Sequence, residues 1–189
     1  MKYIVHFRGH KIIAVSSYGL DTQSSASSFE IDSDLSDIEI LTKFIAVNNT
    51  LVFVGEAPSA FHELNDSLQW VVNLTKAKEA KRGEIKQART QAEYAGFNWD
   101  GSAFDSDVVS QGRITGAVTL ALIALQAQQP YEVTWTLANR TFRTLSAQEL
   151  MSVGIALGTH VQTNFNKGQA LQVQIDAATT KEELDLITW

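Results

Sequence analysis

The chain has 189 residues, of which 44% are hydrophobic, and a formal net charge of -6 at pH 7. A chain of this size can bury a real core, as one ordinary domain or two small ones. The acidic balance argues against DNA or RNA as the main ligand, because nucleic-acid binding normally uses clustered Lys and Arg. There is no cysteine, which excludes disulfides and thiolate zinc sites and agrees with synthesis in a reducing cytoplasm.

The N-terminal segments predict a small antiparallel sheet. YIVHF at residues 3–7 and KIIAV at residues 11–15 are β-rich runs joined by a short turn at Gly9. The serine-rich stretch at residues 16–28 lacks periodicity and predicts a loop. FEID at residues 29–32 then predicts a third strand.

A helix is predicted after this sheet. Ser36 and Glu39 have capping-box spacing, so we expect the helix to cover residues 37–48. The residues expected on its buried face are Ile38, Leu41, Phe44 and Ile45. TLVFVG at residues 50–55 and SLQWVVN at residues 67–73 predict two further strands, the first of them internal because it is continuously apolar.

The composition changes at Leu74, which we predict to be the start of a second domain. The domains are therefore expected at residues 1–73 and 74–189. Residues 74–95 hold six Lys or Arg and three Glu and predict a long amphipathic helix with Ile85 on its apolar face. The local charge of +3 is most simply a solvated face, and the alternative is a contact stripe for an acidic partner.

A second long helix is predicted over about residues 107–128. Its apolar positions are Val108, Ile114, Val118, Leu122 and Leu125. Gly112 and Gly116 are expected to let another backbone approach closely, as in a tight helix pair. The apolar run at residues 117–125 is about half of the roughly 20 residues that cross a bilayer, so we predict that it is core and not membrane. No signal peptide is predicted either.

The C-terminal part predicts a hairpin and two helices. YEVTWT and RTFRTLS read as strands around a turn in which Asn139 suits a positive φ. Ser146 and Glu149 have capping-box spacing and predict a helix to about Asn164. Thr180 and Glu183 have the same spacing and predict a short last helix that ends at Trp189. The fold class is α+β: a small N-terminal antiparallel sheet with a helix, then a long helix and a helical unit with two β-hairpins.

The segment GFNWDGSAFDSD at residues 96–107 concentrates three carboxylates, but structure explains them without catalysis. Asp100–Gly101 predicts a type I′ hairpin turn, and Asp105, Ser106 and Asp107 stand where short polar side chains cap the next helix. A calcium loop would need its acids before the glycine. A glycosidase would need two carboxylates in one cleft, which spacing alone does not show; it remains a distant alternative that would use these acids.

No other motif indicates catalysis or a bound metal. The histidines His6, His10, His62 and His160 lack H-E-x-x-H or H-x-H spacing. There is no G-x-S-x-G nucleophile motif and no glycine-rich phosphate loop. We therefore predict a protein that is not an enzyme and that uses no cofactor or metal.

The order of motifs in residues 74–189 carries a resemblance to a known family. AKRGEIKQAR, AGFNWDGSAFDSD, SQGRITGAV, VTWTLANRTFRTLS and IDAATTKEELDLITW follow one another there. This part resembles a domain of unknown function at the C-terminus of tailed-bacteriophage proteins associated with tail fibres, many of them described loosely as tail-fibre assembly proteins. The resemblance implies a virion or assembly role without known catalysis, and it supplies no functional residues to carry over.

Two hypotheses follow from this resemblance. In the first, the protein is an assembly chaperone that acts on the phage tail fibre in the host cytoplasm; in the second, it is a permanent component of the tail fibre or baseplate in the virion. Neither needs nucleic acid or a membrane. Exposed aromatic residues and Arg are the usual interface anchors, and the candidates are Trp99, Trp135, Arg140, Phe142 and Trp189. Trp135 and Trp189 also suit core positions.

Overall fold

The computed structural model describes residues 2–17 and 27–189. The chain divides into two compact units, Met1–Asn73 and Leu74–Trp189. Helices and small antiparallel sheets occur together, so the predicted α+β class is confirmed. Of the loop predicted at residues 16–28, residues 18–26 lie outside the described part of the chain, and its two ends belong to strands.

A three-stranded antiparallel sheet forms the base of the first unit. Its strands, in the spatial order β2-β1-β3, are β1 (Lys2–Arg8), β2 (Lys11–Ser17) and β3 (Ser27–Asp32). Gly9 has a φ of +62°, which the tight turn between β1 and β2 requires and which glycine adopts without strain. Val5 on the central strand is fully buried against Ile12 and Ile40.

The helix that follows is shorter than predicted. It is α1 (Asp37–Lys43), and it begins with the predicted capping box, in which Ser36 Oγ accepts from the Glu39 backbone N–H and the Glu39 carboxylate accepts from the Ser36 backbone N–H. Strand β4 (Phe44–Val47) starts immediately after it and pairs with β5 (Thr50–Phe53). The predicted helical residues Phe44 and Ile45 therefore lie in a strand.

The reason is a hairpin signal that outweighs the helical spacing. Asn48 and Asn49 both have positive φ, the conformation of a two-residue hairpin turn, and FIAV before them is aromatic and β-branched. Of the residues expected to be buried, Ile45 is buried, but Ile38 is 68% exposed and Leu41 41% exposed, while Ile40 is the buried residue of the helix. Among the strands of residues 2–17 and 27–189, β5 pairs with β4 alone, and Phe53 is 66% exposed, so β5 is not an internal strand.

A third small hairpin completes the first unit. It pairs β6 (His62–Leu64) with β7 (Trp70–Val72). The sequence predicted β7 but not its partner. Trp70 Nε1 donates to the Val54 carbonyl at 2.8 Å, so the polar edge of this half-buried ring is satisfied inside the unit.

The second unit is built on one very long helix. Its elements in chain order are α2 (Leu74–Tyr94), β8 (Phe97–Trp99), β9 (Ser102–Phe104), α3 (Val108–Gln126), β10 (Glu132–Thr136), β11 (Phe142–Ser146), α4 (Ala147–Ala177) and α5 (Lys181–Leu186). The 31 residues of α4 extend for about 46 Å. The first half of α4 packs in a core with β8, β9, α3 and β11, and the second half contacts α2.

Helix α4 begins where the sequence predicts but ends 13 residues later than Asn164. Ser146 and Glu149 form the predicted capping box. Asn164 stays helical, with its Nδ2 donating to the His160 carbonyl. Gly168 is buried, and a Cβ there would lie 3.0 Å from Arg89 Cδ. This tertiary packing offsets a glycine cost in a helix of about 1 kcal/mol.

The last helix is also shorter than predicted. Thr180 Oγ1 accepts from the Glu183 backbone N–H, but the Glu183 carboxylate accepts from Thr179 instead of returning to Thr180. The third capping box is therefore one-sided, and α5 ends at Leu186 instead of Trp189.

The turn before β8 gives a test of this fold. Gly96 has a φ of +91°, and a Cβ there would lie 2.9 Å from the Phe104 carbonyl oxygen, whereas Gly101 has a φ of +72° and open space around it. We expect Gly96→Ala to lower the free energy of unfolding by about 2–4 kcal/mol, because strain and a backbone clash add. Gly101→Ala should cost about 1 kcal/mol. Urea unfolding of both variants measures the difference, and equal costs would contradict the close approach.

Candidate partner-binding surfaces

Arg143 joins three elements of the second unit around one aromatic ring. Its Cζ lies 4.8 Å from the centroid of the Trp99 ring, a cation–π contact. Nη2 donates to the Asp100 carboxylate at 2.6 Å and to the Glu149 carboxylate at 3.2 Å, while Nη1 donates to Ser102 Oγ at 3.0 Å. The hairpin β8–β9 and the start of α4 are thereby tied to β11. The sequence analysis named Arg140, which lies in the turn between β10 and β11, and missed Arg143 on β11.

The carboxylate of Glu149 beside Arg143 is held in its charged form. The Ser146 backbone N–H, the Ser146 hydroxyl and then Arg143 hold the pKa of Glu149 below its ordinary value of 4.5. Hydrogen bonding to Asp100 in turn raises the pKa of Arg143. We call Arg143, Trp99, Asp100, Ser102 and Glu149 the Arg143 cluster. Water reaches its charged groups, so their electrostatic attraction is screened, but its contacts fix the hairpins relative to α4.

Two of the three acids in GFNWDGSAFDSD, Asp100 and Asp107, have the structural roles that the sequence predicts. Asp100 and Gly101 form the hairpin turn with positive φ at both. Asp107 caps α3 by accepting from the Val109 and Ser110 backbone N–H groups, and hydrogen bonding, first from the Ser110 hydroxyl, lowers the pKa of Asp107. Asp105 is exposed.

Ser106 has a role that spacing did not reveal. It is fully buried, its Oγ donates to the Glu93 carbonyl at 2.6 Å, and it accepts from the Gly96 backbone N–H at 2.9 Å. His160 Nε2 donates to the carbonyls of Ala92 and Glu93 at 3.1 and 3.3 Å. Two distant side chains thus satisfy the free carbonyls at the end of α2.

Several basic side chains of α2 have partners inside the unit. Arg82 pairs with Asp176, and Lys78 Nζ donates to the Asp176 carbonyl. Arg89 Nε lies 3.3 Å from the Glu93 carboxylate without hydrogen-bond geometry, and its guanidinium lies over the Phe165 ring. These contacts favour the solvated-face interpretation of α2 over a stripe for an acidic partner.

The five predicted partner-binding residues do not form one cluster. Phe142 is 73% exposed on the outer side of β11, and Arg140 is exposed at the turn. Trp135 and Trp99 are half-buried against the core. Trp189 lies elsewhere, beneath Lys167 and beside Gly168, which is about 28 Å along α4 from the cap at Glu149.

The turn between β10 and β11 also differs in detail from its prediction. The positive φ falls on Arg140, at 66°, and not on Asn139. Asn139 instead accepts hydrogen bonds through its side chain from the Thr141 backbone N–H and hydroxyl. An Asn side chain that folds back onto the following backbone stabilises a turn in this way.

We define the hairpin surface as Arg140 and Phe142 together with an adjoining depression beside β10. The depression has a volume of about 370 Å³ and is lined by Asp105, Ser110, Arg113, Val133, Thr134, Trp135 and Thr136. Thr136 pairs with Phe142 across the strands, so both lie on the same side of the sheet. Phe142 therefore neighbours Thr136, which lines the depression together with Arg113.

A second surface is the outer face of α3, which the sequence predicted to be core. Ile114 and Ala121 are buried, but several apolar side chains of the helix are exposed. They are Val108 at 65%, Val109 at 59%, Leu120 at 53%, Leu122 at 44% and Ile123 at 56%. The expected close approach at Gly112 and Gly116 is not present, since no atom of the described chain lies within 4 Å of a Cβ built at either.

The exposure of this face of α3 has a simple physical reason. The apolar residues of α3 surround the whole helix, whereas the core with Phe104, Leu145 and Leu150 covers only one side of it. Among the helices of residues 2–17 and 27–189, α3 is the one that is long and apolar enough to cross a membrane by length and composition, and 11% of its apolar window is buried. Within the same residues, no group of three or more His, Asp or Glu side chains is placed to hold a metal ion.

The Glu149 carboxylate gives the cluster a pH dependence. Its pKa is lower in the folded protein than its ordinary value of 4.5, so its stabilising effect is present above that value and is lost as the pH falls through the lower folded pKa. Glu149→Gln keeps a capping side chain but removes the charge. We expect the melting temperature of this variant to fall less between pH 5 and pH 3 than that of the unmodified chain. Glu182→Gln on exposed α5 is the control, and parallel curves for all three proteins would contradict the role of Glu149.

Comparison with known proteins gives one match. The family described as domain of unknown function DUF4376 matches residues 76–188. These residues include nearly all of α2, both hairpins of the second unit, the Arg143 cluster, the hairpin surface and the outer face of α3. Neither curated proteins nor solved structures gave a match. The match covers more than half of the chain, and the protein therefore belongs to the DUF4376 family.

Proposed function

We propose that this protein is a non-enzymatic bacteriophage protein that acts by protein–protein contact in tail-fibre assembly, as a chaperone-like factor that binds the fibre in the host cytoplasm. The observation that carries the proposal is the hairpin surface, in which Phe142, 73% exposed, neighbours Thr136 at the depression that Arg113 also lines. The resemblance of the motifs in residues 74–189 to tail-fibre-associated proteins supplies the partner. Those motifs fall almost wholly within the matched family domain.

The chemistry of the hairpin surface suits a protein partner. Phe142 is a large apolar side chain that gains free energy when a partner covers it. Arg140 and Arg113 supply planar donors for carboxylates or backbone carbonyls of the partner. The depression of about 370 Å³ beside Trp135 is large enough to receive a side chain of the partner, as in the centre of many interfaces.

The support beneath this surface favours binding without rearrangement. Arg143 holds Trp99, Asp100 and Glu149 together, and β11, which carries Phe142, contains Arg143 as well. Two hairpins and α4 are thereby held in a fixed relation. Because less conformational entropy is lost on binding a rigid surface, more of the contact energy appears as affinity.

The first unit, which lies outside the family match, has a separate role in this proposal. We assign to it the contact with a neighbour specific to the individual phage, while the second unit supplies the contact shared by the family. The alternative function, a permanent component of the tail fibre or baseplate, uses the same surfaces but predicts that the protein is present in the finished particle.

The experiment that tests the proposal is co-expression of the chain with the tail-fibre protein of the same phage. We expect a stable complex in size-exclusion chromatography with light scattering, and more soluble fibre when the chain is present. Absence of both effects would overturn the chaperone function. If the protein is then found in purified virions, the structural alternative replaces it.

A point variant tests whether the contact with the fibre lies on the hairpin surface. Phe142→Ala should weaken the complex by about 30-fold or more, the effect of losing a side chain at the centre of an interface. Thr144→Ala is the matched control, because Thr144 is exposed on the same side of the same strand. Titration of immobilised fibre with each purified variant measures the affinities. Equal affinities for Phe142→Ala and the unmodified chain would move the contact away from this surface.

A further inference from the structure

The outer face of α3 has a chemistry that distinguishes it from the rest of the surface. At 3.6 residues per turn, the exposed apolar residues from Val108 to Ile123 lie on the half of the helix opposite Ile114 and Ala121. The sequence of the 19-residue helix, VVSQGRITGAVTLALIALQ, contains a single charged residue, Arg113. This face therefore lacks the charged side chains that normally keep an exposed helix surface in water.

Glycines lie along the middle of this face. Gly112 and Gly116 are four residues apart, and a Cβ at either would meet no atom within 4 Å in the described chain. Thr119 continues the same line one turn later. A helix with a row of small residues between larger apolar ones allows a second helix to approach its backbone closely. Nothing in the described part of this unit uses that possibility.

The area of the face fits a protein contact. At the exposures given above, its five apolar side chains present roughly 500 Å² of surface, which is at the upper end for the largest apolar patch of a monomer. Ile155 of α4 is 70% exposed and borders an apolar groove of about 280 Å³ between α3 and α4. Together, these residues present more than half of the ~800 Å² per partner that a standard interface buries.

We propose that the outer face of α3 is a self-association surface, on which the α3 helix of a second copy of this chain packs. A twofold contact places the same surface of both copies together, so a face without charge is complementary to itself. Arg113 lies at its edge, where two like charges stay apart in solvent. This inference goes beyond the contact with a fibre and does not depend on it.

A second copy fits the face better than a lipid surface. Helices that lie on membranes carry Lys and Arg along their polar side, whereas the inner side of α3 is buried in the core of the unit through Ile114 and Ala121. The middle of the outer face is Gly and Thr, which help two backbones to meet but add little to insertion into hydrocarbon.

The test is the mass of the purified full chain across a wide dilution series. Sedimentation equilibrium should give twice the 20.8 kDa of one chain at high concentration. Ile123→Glu should raise the dissociation constant of the dimer by about 100-fold, because it buries an unpaired charge in the contact. Val173→Glu is the control, since Val173 is similarly exposed at 68% on α4, and it should leave the dimer intact.

A second measurement covers the case in which Ile123→Glu does not fold. The chain has no cysteine, so a spin label at Thr119→Cys reports on this face alone. A short distance between labels of two copies at Thr119, with a longer one for Val173→Cys, supports the proposal. A monomer at every concentration, or a dimer whose label distances are shorter at Val173, overturns it. A monomer that also floats with lipid vesicles would identify a membrane surface as the occupant instead.

Discussion

The second unit depends on the buried stripe of α4, a helix of 31 residues that must be covered along its whole length. Leu150, Val153 and Leu157 share one core with α3 and the two hairpins, while Leu171 and Ile175 are buried further along the helix. Each covering element needs only one apolar side for this purpose. Helix α3 is apolar around its whole circumference. Only the side that covers α4 is buried, and the opposite apolar side is exposed.

The same requirement explains why Arg143 is central to the hairpins. Strand β11 leads directly into α4, so the capping carboxylate of Glu149 lies within reach of a side chain on the strand. Arg143 uses that carboxylate, the Asp100 carboxylate and the Trp99 ring at once. A helix cap, which usually stabilises only its own helix, thus also positions a neighbouring hairpin. The surface around Phe142 is consequently attached to the most extensively packed element of the unit.

Local signals were predictable from the sequence, and signals that depend on tertiary packing were not. The capping boxes at Ser36 and Ser146 and the turn at Asp100–Gly101 are formed by neighbours in the chain, and the structure contains all three. The end of α4 was missed because buried Gly168 is stabilised by Arg89, which is 79 positions away in the sequence. Arg143 was missed for the same reason, since its partner Asp100 belongs to another hairpin.

The errors on α1 and α3 have a different origin. A short apolar run fits a helix and a strand equally well, and the Asn48–Asn49 turn decided in favour of the strand. In α3, periodicity indicated a helix correctly but said nothing about how many of its sides a small unit covers. Whether an apolar residue of α3 is buried depends on how many other elements pack around the helix. The apolar pattern of one helix does not give that number.

The antiparallel contact between α2 and α4 has a consequence for how the protein is made. Arg82 and Asp176, which pair across these helices, are 94 residues apart in the chain, and His160 lies 68 residues after the Ala92 carbonyl that it binds. At a synthesis rate of about 5–20 residues per second, the part of α4 that packs on α2 is synthesised roughly 5–20 seconds after α2. During that time Ala77 and Ile85, both buried in the finished unit, have no α4 to pack against. Translation speed through residues 95–176 therefore sets how long the nascent chain presents this helix to other proteins in the cell.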